Sequence, residues 1–186
     1  MCYTLIYTQK NVIILTDVIT EDLGDEMILH NIPPVWDENS KILILGSFPS
    51  VKSRSTQFFY GHAKNRFWRL LSSLLGEGVP GSIEDKKKLL LKYHIALWDV
   101  VKSCDIVGSS DSTIKNATPN DLSRILSKSR ITKIFTNGQT ANKLYNKYIF
   151  PITSIEAHPL PSTSPANAAY NMERLIERWN IILAYL

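Results

Sequence analysis

The chain has 186 residues, of which 44% are hydrophobic and 20% charged, with a formal charge of +4, values that suit a single globular domain with room for a real core. No apolar run approaches a membrane span, no basic leader with a cleavage site opens the chain, and two cysteines, Cys2 and Cys104, are too few for a four-cysteine metal or cluster site. The sequence therefore reads as cytoplasmic (nucleoid-associated in a prokaryote), with no membrane association and no Cys2–Cys104 disulfide expected.

The charge is unevenly spread. Residues 1–40 hold one Lys and seven acids, whereas residues 41–186 hold twenty Lys or Arg against ten acids. Such an excess favours a polyanionic partner, although an ordinary basic surface has the same composition. Residues 1–26, acidic toward their end, read as an N-terminal extension of uncertain status, which an over-called start codon would explain; the domain is taken as 27–186.

Ile42 to Leu45 is a short apolar run that stops at Gly46, the pattern of a strand buried on both faces in a parallel sheet. Gly46-Ser47-Phe48-Pro49-Ser50 must then turn at the strand's carboxyl end, where open α/β sheets bind ligands. Phe58, Phe59 and Tyr60 follow, and at least Phe59 is expected in the core. A helix over 65–75 places Phe67, Leu71 and Leu74 on one side. From Lys41 to Arg69 there are six Lys or Arg and no acid, and a basic, aromatic-bearing loop over a sheet end suits a nucleic-acid base and its phosphates.

Gly76 to Gly81 is a loop, and Ser82 caps a helix running to about Tyr93. Ile95 to Val101 reads as a second buried strand, followed by a polar loop over 102–116. Thr118 is expected to cap a helix with Pro119 at its first position. Ile131 to Phe135 is a third strand that turns through Asn137 into a helix over 139–148. Ile152 to Ile155 is a fourth strand. Ser164 is expected to cap a helix opening at Pro165, and a final helix carries Leu175, Trp179, Ile182, Leu183 and Leu186 on one face. This alternation predicts a three-layer α/β/α sandwich around a four-stranded, mostly parallel sheet.

The turn at Gly46 has neither the GxGxxG nor the GxxxxGK[ST] phosphate-loop pattern, and it is not a G-x-S-x-G elbow, so Ser47 is a poor nucleophile candidate. Four groups of residues carry a resemblance instead: Gly46-Ser47-Phe48-Pro49-Ser50, Phe59-Tyr60-Gly61-His62, Asn65-Arg66-Phe67-Trp68, and Leu160-Pro161-Ser162-Thr163-Ser164-Pro165-Ala166-Asn167. In this order and spacing the chain resembles the uracil-DNA glycosylase superfamily over roughly residues 30–186, in particular its hypoxanthine-DNA (deoxyinosine) branch.

The resemblance implies a monofunctional DNA glycosylase that hydrolyses the N-glycosidic bond of a deaminated base in double-stranded DNA, first of all hypoxanthine. It would work as a monomer, with no metal and no organic cofactor. Uracil or thymine excision from mismatches is the alternative enzyme, and a non-catalytic nucleic-acid-binding module the alternative of another class. Ser47, Phe48 and Tyr60 would bind the base, Tyr60 by stacking, although an aromatic run also suits core packing. Ser50, Lys52, Ser53, Arg54, Ser162, Thr163 and Ser164 would contact DNA, as would Leu160 and Pro161, the latter two as a wedge; Lys102 and Lys115 are further phosphate candidates. Many relatives hold Asp or Asn where Phe48 stands, and phenylalanine cannot orient a water. Asn65 is then the catalytic candidate, its carbonyl oxygen orienting the water, with simple helix capping as the bland alternative. His62, His158 and Asn137 have no assigned role.

Overall fold

A computed structural model describes residues 27–186. Residues 1–26, and with them the Cys2 end of any disulfide, lie outside the described residues; Cys104 is buried. The elements in chain order are β1 (Ile28–Leu29), β2 (Ile42–Gly46), α1 (Val51–Thr56), α2 (Phe67–Leu75), α3 (Ile83–Lys92), β3 (Ile95–Asp99), β4 (Val101–Asp105), β5 (Lys115–Pro119), α4 (Ser123–Lys128), β6 (Lys133–Asn137), α5 (Gln139–Tyr148), α6 (Phe150–Thr153), β7 (Ala157–Leu160) and α7 (Met172–Trp179). Short 3₁₀ turns cover Asp111–Thr113 and Asn180–Tyr185.

The central sheet has four parallel strands in the order β3-β2-β6-β7. β2 lies inside it and is buried along its whole length. Its alternating side chains feed two cores. Ile42 and Ile44 join Phe67, Leu71, Leu90, Leu175 and Trp179 under α2, α3 and α7. Leu43 and Leu45 join Val101, Cys104, Tyr145 and Ile149 on the other face, under α5 and β4. Among the described residues no helix is long and apolar enough to cross a membrane.

The expected sandwich is present, with corrections. The apolar run from Ile95 to Val101 is two strands. β3 ends at Asp99, and the chain then veers into a second, antiparallel sheet of order β1-β4-β5, so the expected polar loop over 102–116 contains strands at both ends. Pro119 closes β5 opposite Val101 rather than opening a helix; proline lacks a ladder donor but is tolerated at a sheet edge. The expected strand at 152–155 is the short helix α6, with Ile152 81% exposed. The fourth strand lies further on, where His158 and Pro159 hide it from an apolar pattern; an edge position tolerates both.

No helix opens at Pro165. The helix starts after Asn171, whose side chain accepts from the Arg174 N–H. Leu183 is exposed, because the C-terminal stripe tightens into a 3₁₀ turn beyond Trp179 and turns it outward. The capping of α3 by Ser82 is as expected, with Asp85 completing a reciprocal box.

Candidate active site

The carboxyl ends of the four parallel strands open onto a cavity of about 390 Å³, within the range of roughly 300–1,000 Å³ common for small-molecule sites. Gly46 to Ser50 enter after β2, Asp99 at the end of β3, Asn137 to Thr140 after β6, and Ser162 to Ser164 after β7. Tyr60 and Asn65 enter from the segment between α1 and α2, and Ser109 to Asp111 from the β4–β5 connection. Among the described residues that line it there is no Lys, Arg or His.

The floor is acidic and tightly packed. Gly46 faces Asp99 across the β2–β3 pair. A Cβ on Gly46 would sit 2.2 Å from Asp99 Oδ1 and 3.3 Å from the Tyr60 hydroxyl, so only glycine lets these two side chains converge there. Asp99 is 4% exposed, and Oδ2 is fully buried with no hydrogen-bond partner. Burial, and secondarily the charge of Asp111, push its pKa up to about 8. Asp111 sits on the rim, exposed as a residue, but turns its carboxylate inward to accept from Ser47 Oγ at 2.8 Å. Burial raises its pKa, and the Ser47 bond opposes the rise.

Tyr60 adopts a left-handed backbone (φ 53°) and stacks on Phe67, ring centroids 4.1 Å apart. Its hydroxyl is buried without a partner; Asn137 lies near it but does not complete a bond. Burial first, then the charge of Asp99, raises its pKa. Phe48, also in the lining, has the Arg54 guanidinium over its ring and the edge of His30 against it. Burial drives the pKa of His30 down to about 4, helped by Arg54 and opposed by its bond to the Val101 carbonyl.

The opposite wall is a closed hydrogen-bond network. Thr163 is fully buried. Its N–H donates to Asn137 Oδ1, its Oγ1 accepts from Asn137 Nδ2, and the hydroxyl donates to Asn65 Oδ1, at 2.9, 2.9 and 3.0 Å. Asn65 Oδ1 also accepts from the N–H of Phe67, the first residue of α2, at 3.0 Å. Both lone pairs of that carbonyl are therefore in use, and the amide NH₂ is the polar group Asn65 has left to offer the cavity. This corrects the expectation that the carbonyl orients a water.

Arg66, which sequence reasoning passed over, donates to the carbonyls of Thr163, Ser164, Asn167 and Tyr170. It thereby pins the loop after β7 to the start of α2. Gly138, at φ 103°, lets the same loop pass within van der Waals contact, since a Cβ there would lie 3.0 Å from Ser162 Cβ.

Several expected DNA contacts are turned inward. Leu160 is 2% exposed and packs in the core with Phe135 and Trp179, so it is not a wedge in this structure. Pro161 is half-buried, its carbonyl accepting from Trp179 Nε1. Ser53 is buried and bonds Ser50 Oγ and the Gly61 N–H. Arg54 donates to the carbonyls of Pro49 and Gly108. Thr163 is held in the network above. Ser50 caps α1, while Ser162 and Ser164 remain half-exposed and Lys52 and Lys102 exposed. Phe59 is in the core as expected, together with Phe58. His158 packs edge-on against Phe135 in the sheet, and His62 Nδ1 accepts from the Lys64 N–H in a turn. Asp99 was legible in principle as the one acid within the apolar run from Ile95 to Val101; the structure ends β3 at it, at the ligand end of the sheet.

A sequence profile of the uracil DNA glycosylase superfamily matches residues 33–183. The chain belongs to the uracil DNA glycosylase superfamily. Within it, the chain is 37% identical over 163 residues to a protein of Methanosarcina acetivorans named hypoxanthine DNA glycosylase, covering 86% of this chain and 100% of that one. A protein of the same name from Methanosarcina barkeri is 42% identical over 92 residues, 49% of this chain and 58% of the relative. A solution NMR structure from M. acetivorans, provisionally described as a uracil DNA glycosylase, superposes with a TM-score of 0.72 at 36% identity, over 84% of this chain and 96% of that one. The fold and the cavity at the strand ends are thus those of a glycosylase superfamily member.

Proposed function

We propose that this protein excises hypoxanthine from double-stranded DNA, hydrolysing the N-glycosidic bond of deoxyinosine and leaving an abasic site. The observation that carries the reading is a base-sized, cation-free cavity at the sheet end, lined by Tyr60 and Asn65, in a chain that matches a hypoxanthine DNA glycosylase over that protein's full length.

The glycosidic carbon is inaccessible inside a duplex, so the nucleotide has to be extruded into such a pocket. Tyr60, backed by Phe67, supplies a stacking surface worth about 1–3 kcal/mol per base. As the bond breaks, the sugar becomes oxocarbenium-like and the base departs with the electron pair. A fixed donor aimed at that charge stabilises the transition state without reorganising. The Asn65 amide is such a donor, held by the Phe67 and Thr163 bonds to its carbonyl. An amide is not a base at neutral pH, so the water attacks with little help and a stable leaving group such as hypoxanthine is favoured.

The exposed Lys52, outside the cavity, and the half-exposed Ser162 and Ser164, on its wall, would meet the phosphates. Pro165 and Ala166, exposed at the tip of the loop after β7, replace Leu160 as the apolar wedge beside the extruded nucleotide. The test is incubation with duplexes carrying one inosine, uracil or xanthine, followed by hot alkali. Cleavage at inosine is expected to exceed that at uracil. Equal or greater cleavage at uracil would favour the mismatch-type alternative, and no cleavage a binding module.

A further inference from the structure

Asp99 is a buried ionisable group with no part in that chemistry. It ends β3 at the cavity floor, and its side chain leans over Gly46, where any Cβ would collide with it. It is 4% exposed, and its Oδ2 is buried with no hydrogen-bond partner among the described residues. A carboxyl so placed has no internal reason for its position, because burying one unpaired is costly; it is aimed at whatever occupies the cavity.

The groups facing it decide its state. From the segment before α2 comes the uncharged Tyr60 hydroxyl, and from the β4–β5 connection comes the carboxylate of Asp111. From behind, Asn120 donates to the Asp99 backbone carbonyl, and His30 next to it is held neutral by burial. Arg54 is directed away, toward Pro49 and Gly108. No cation of the lining offsets a charge on Asp99, and a negative neighbour opposes one. Phosphates of bound DNA and a base filling the cavity add to the same bias.

We propose that Asp99 contacts the extruded base and does so as a neutral carboxylic acid, donating its O–H to an oxo oxygen or ring nitrogen of the leaving base. The bond-breaking electron pair flows onto the base, so an O–H donor there gains strength as the bond breaks, while a carboxylate would repel the same charge. The proton is shared along the hydrogen bond and not transferred. Asp99 and the Asn65 amide then address the departing base from the floor and from the wall. This inference rests on the glycosylase reading and assigns that site a residue and a protonation state.

The test is single-turnover excision of inosine from duplex DNA between pH 6 and pH 10, with wild-type protein and Asp99→Asn. The wild-type rate is expected to fall with rising pH above about 8, by up to tenfold per pH unit. Asp99→Asn keeps a neutral donor, so it should retain excision within about tenfold of wild type at pH 7 and lose that alkaline limb. A limb arising from the base's own N–H would persist in the variant and would overturn the proposal. So would a wild-type rate that climbs through pH 8 together with a hundredfold loss in Asp99→Asn, since Asp99 would then act as an ionised base toward water. If the variant does not fold, carboxyl ¹³C NMR of wild-type protein decides: one aspartate titrating far above the ordinary carboxylate range supports the neutral acid, and none doing so overturns it. A wild-type protein that excises no deaminated base would instead defeat the glycosylase reading, a result distinct from a shared pH profile.

Discussion

On one side of the cavity, the loop after β7 has its polar groups matched one to one: Asn137 with Thr163, Thr163 with Asn65, Asn65 with the Phe67 N–H, and Arg66 with carbonyls of the loop. On the other side, Asp99 Oδ2 and the Tyr60 hydroxyl are buried with no partner among the described residues. The first region holds side chains in place, because each rotamer is set by two or more directional bonds. The second leaves bonding capacity unmet at the cavity floor, which costs stability in the folded protein. A saturated wall and an unsaturated floor therefore put the same side-chain chemistry to opposite uses.

The sharpest way to separate wall from floor is Asn65→Asp. An aspartate keeps an oxygen for the Phe67 N–H and for Thr163 Oγ1 and exchanges only the cavity-facing NH₂. Excision is expected to drop by about 10²–10³ with little change in melting temperature, measured by single-turnover assay and thermal unfolding. A faster variant would show that this position governs water and not the departing base.

Thr163→Val comes next. It leaves the Asn137 amide without its acceptor and Asn65 Oδ1 without one donor. A loss of about 1–3 kcal/mol is expected, equivalent to some 2–4 °C per kcal/mol for a chain of this size, together with slower excision as the loop loosens. An unchanged melting temperature would mean that the network positions nothing.

On the floor, the elevated Asp99 pKa predicts how stability varies with pH. Between the ordinary carboxylate range and about 8 the folded protein holds a proton that the unfolded chain has released, so stability falls as pH rises through that window and levels off above it. Asp99→Asn removes the dependence. Its melting temperature should match wild type at pH 5 and exceed it by a few degrees at pH 8, and identical pH profiles would show Asp99 to be ionised in the folded state. The smallest effect belongs to Tyr60→Phe. Deleting a buried hydroxyl that bonds nothing should change stability by less than about 1 kcal/mol and leave the stacking face intact; a large loss of excision would reveal a bond to the substrate.

Much of this molecule follows from local pattern. β2 was legible because four apolar residues ending at Gly46 admit few other readings, α3 because Ser82 and Asp85 cap it, and α5 because a turn at Asn137 and Gly138 must open a helix. The motifs around Gly46, Tyr60, Asn65 and Ser162 pointed to one sheet end and to the superfamily. Tertiary structure decided what each polar group is free to do. Asn65 carries the same side chain whether its carbonyl or its amide faces the cavity, and the Phe67 N–H together with Thr163, 98 residues away, settles which. Leu160 is apolar in either role, but its place at the end of β7 sends it into the core. Asp99 lies inside the apolar run from Ile95 to Val101 in the sequence, and the structure ends β3 there and brings Gly46, Tyr60 and Asp111 round it, from positions far apart in the chain. Propensity and periodicity are properties of neighbours in sequence, whereas hydrogen-bond saturation and desolvation are properties of neighbours in space, and the chemistry of this cavity depends on the latter.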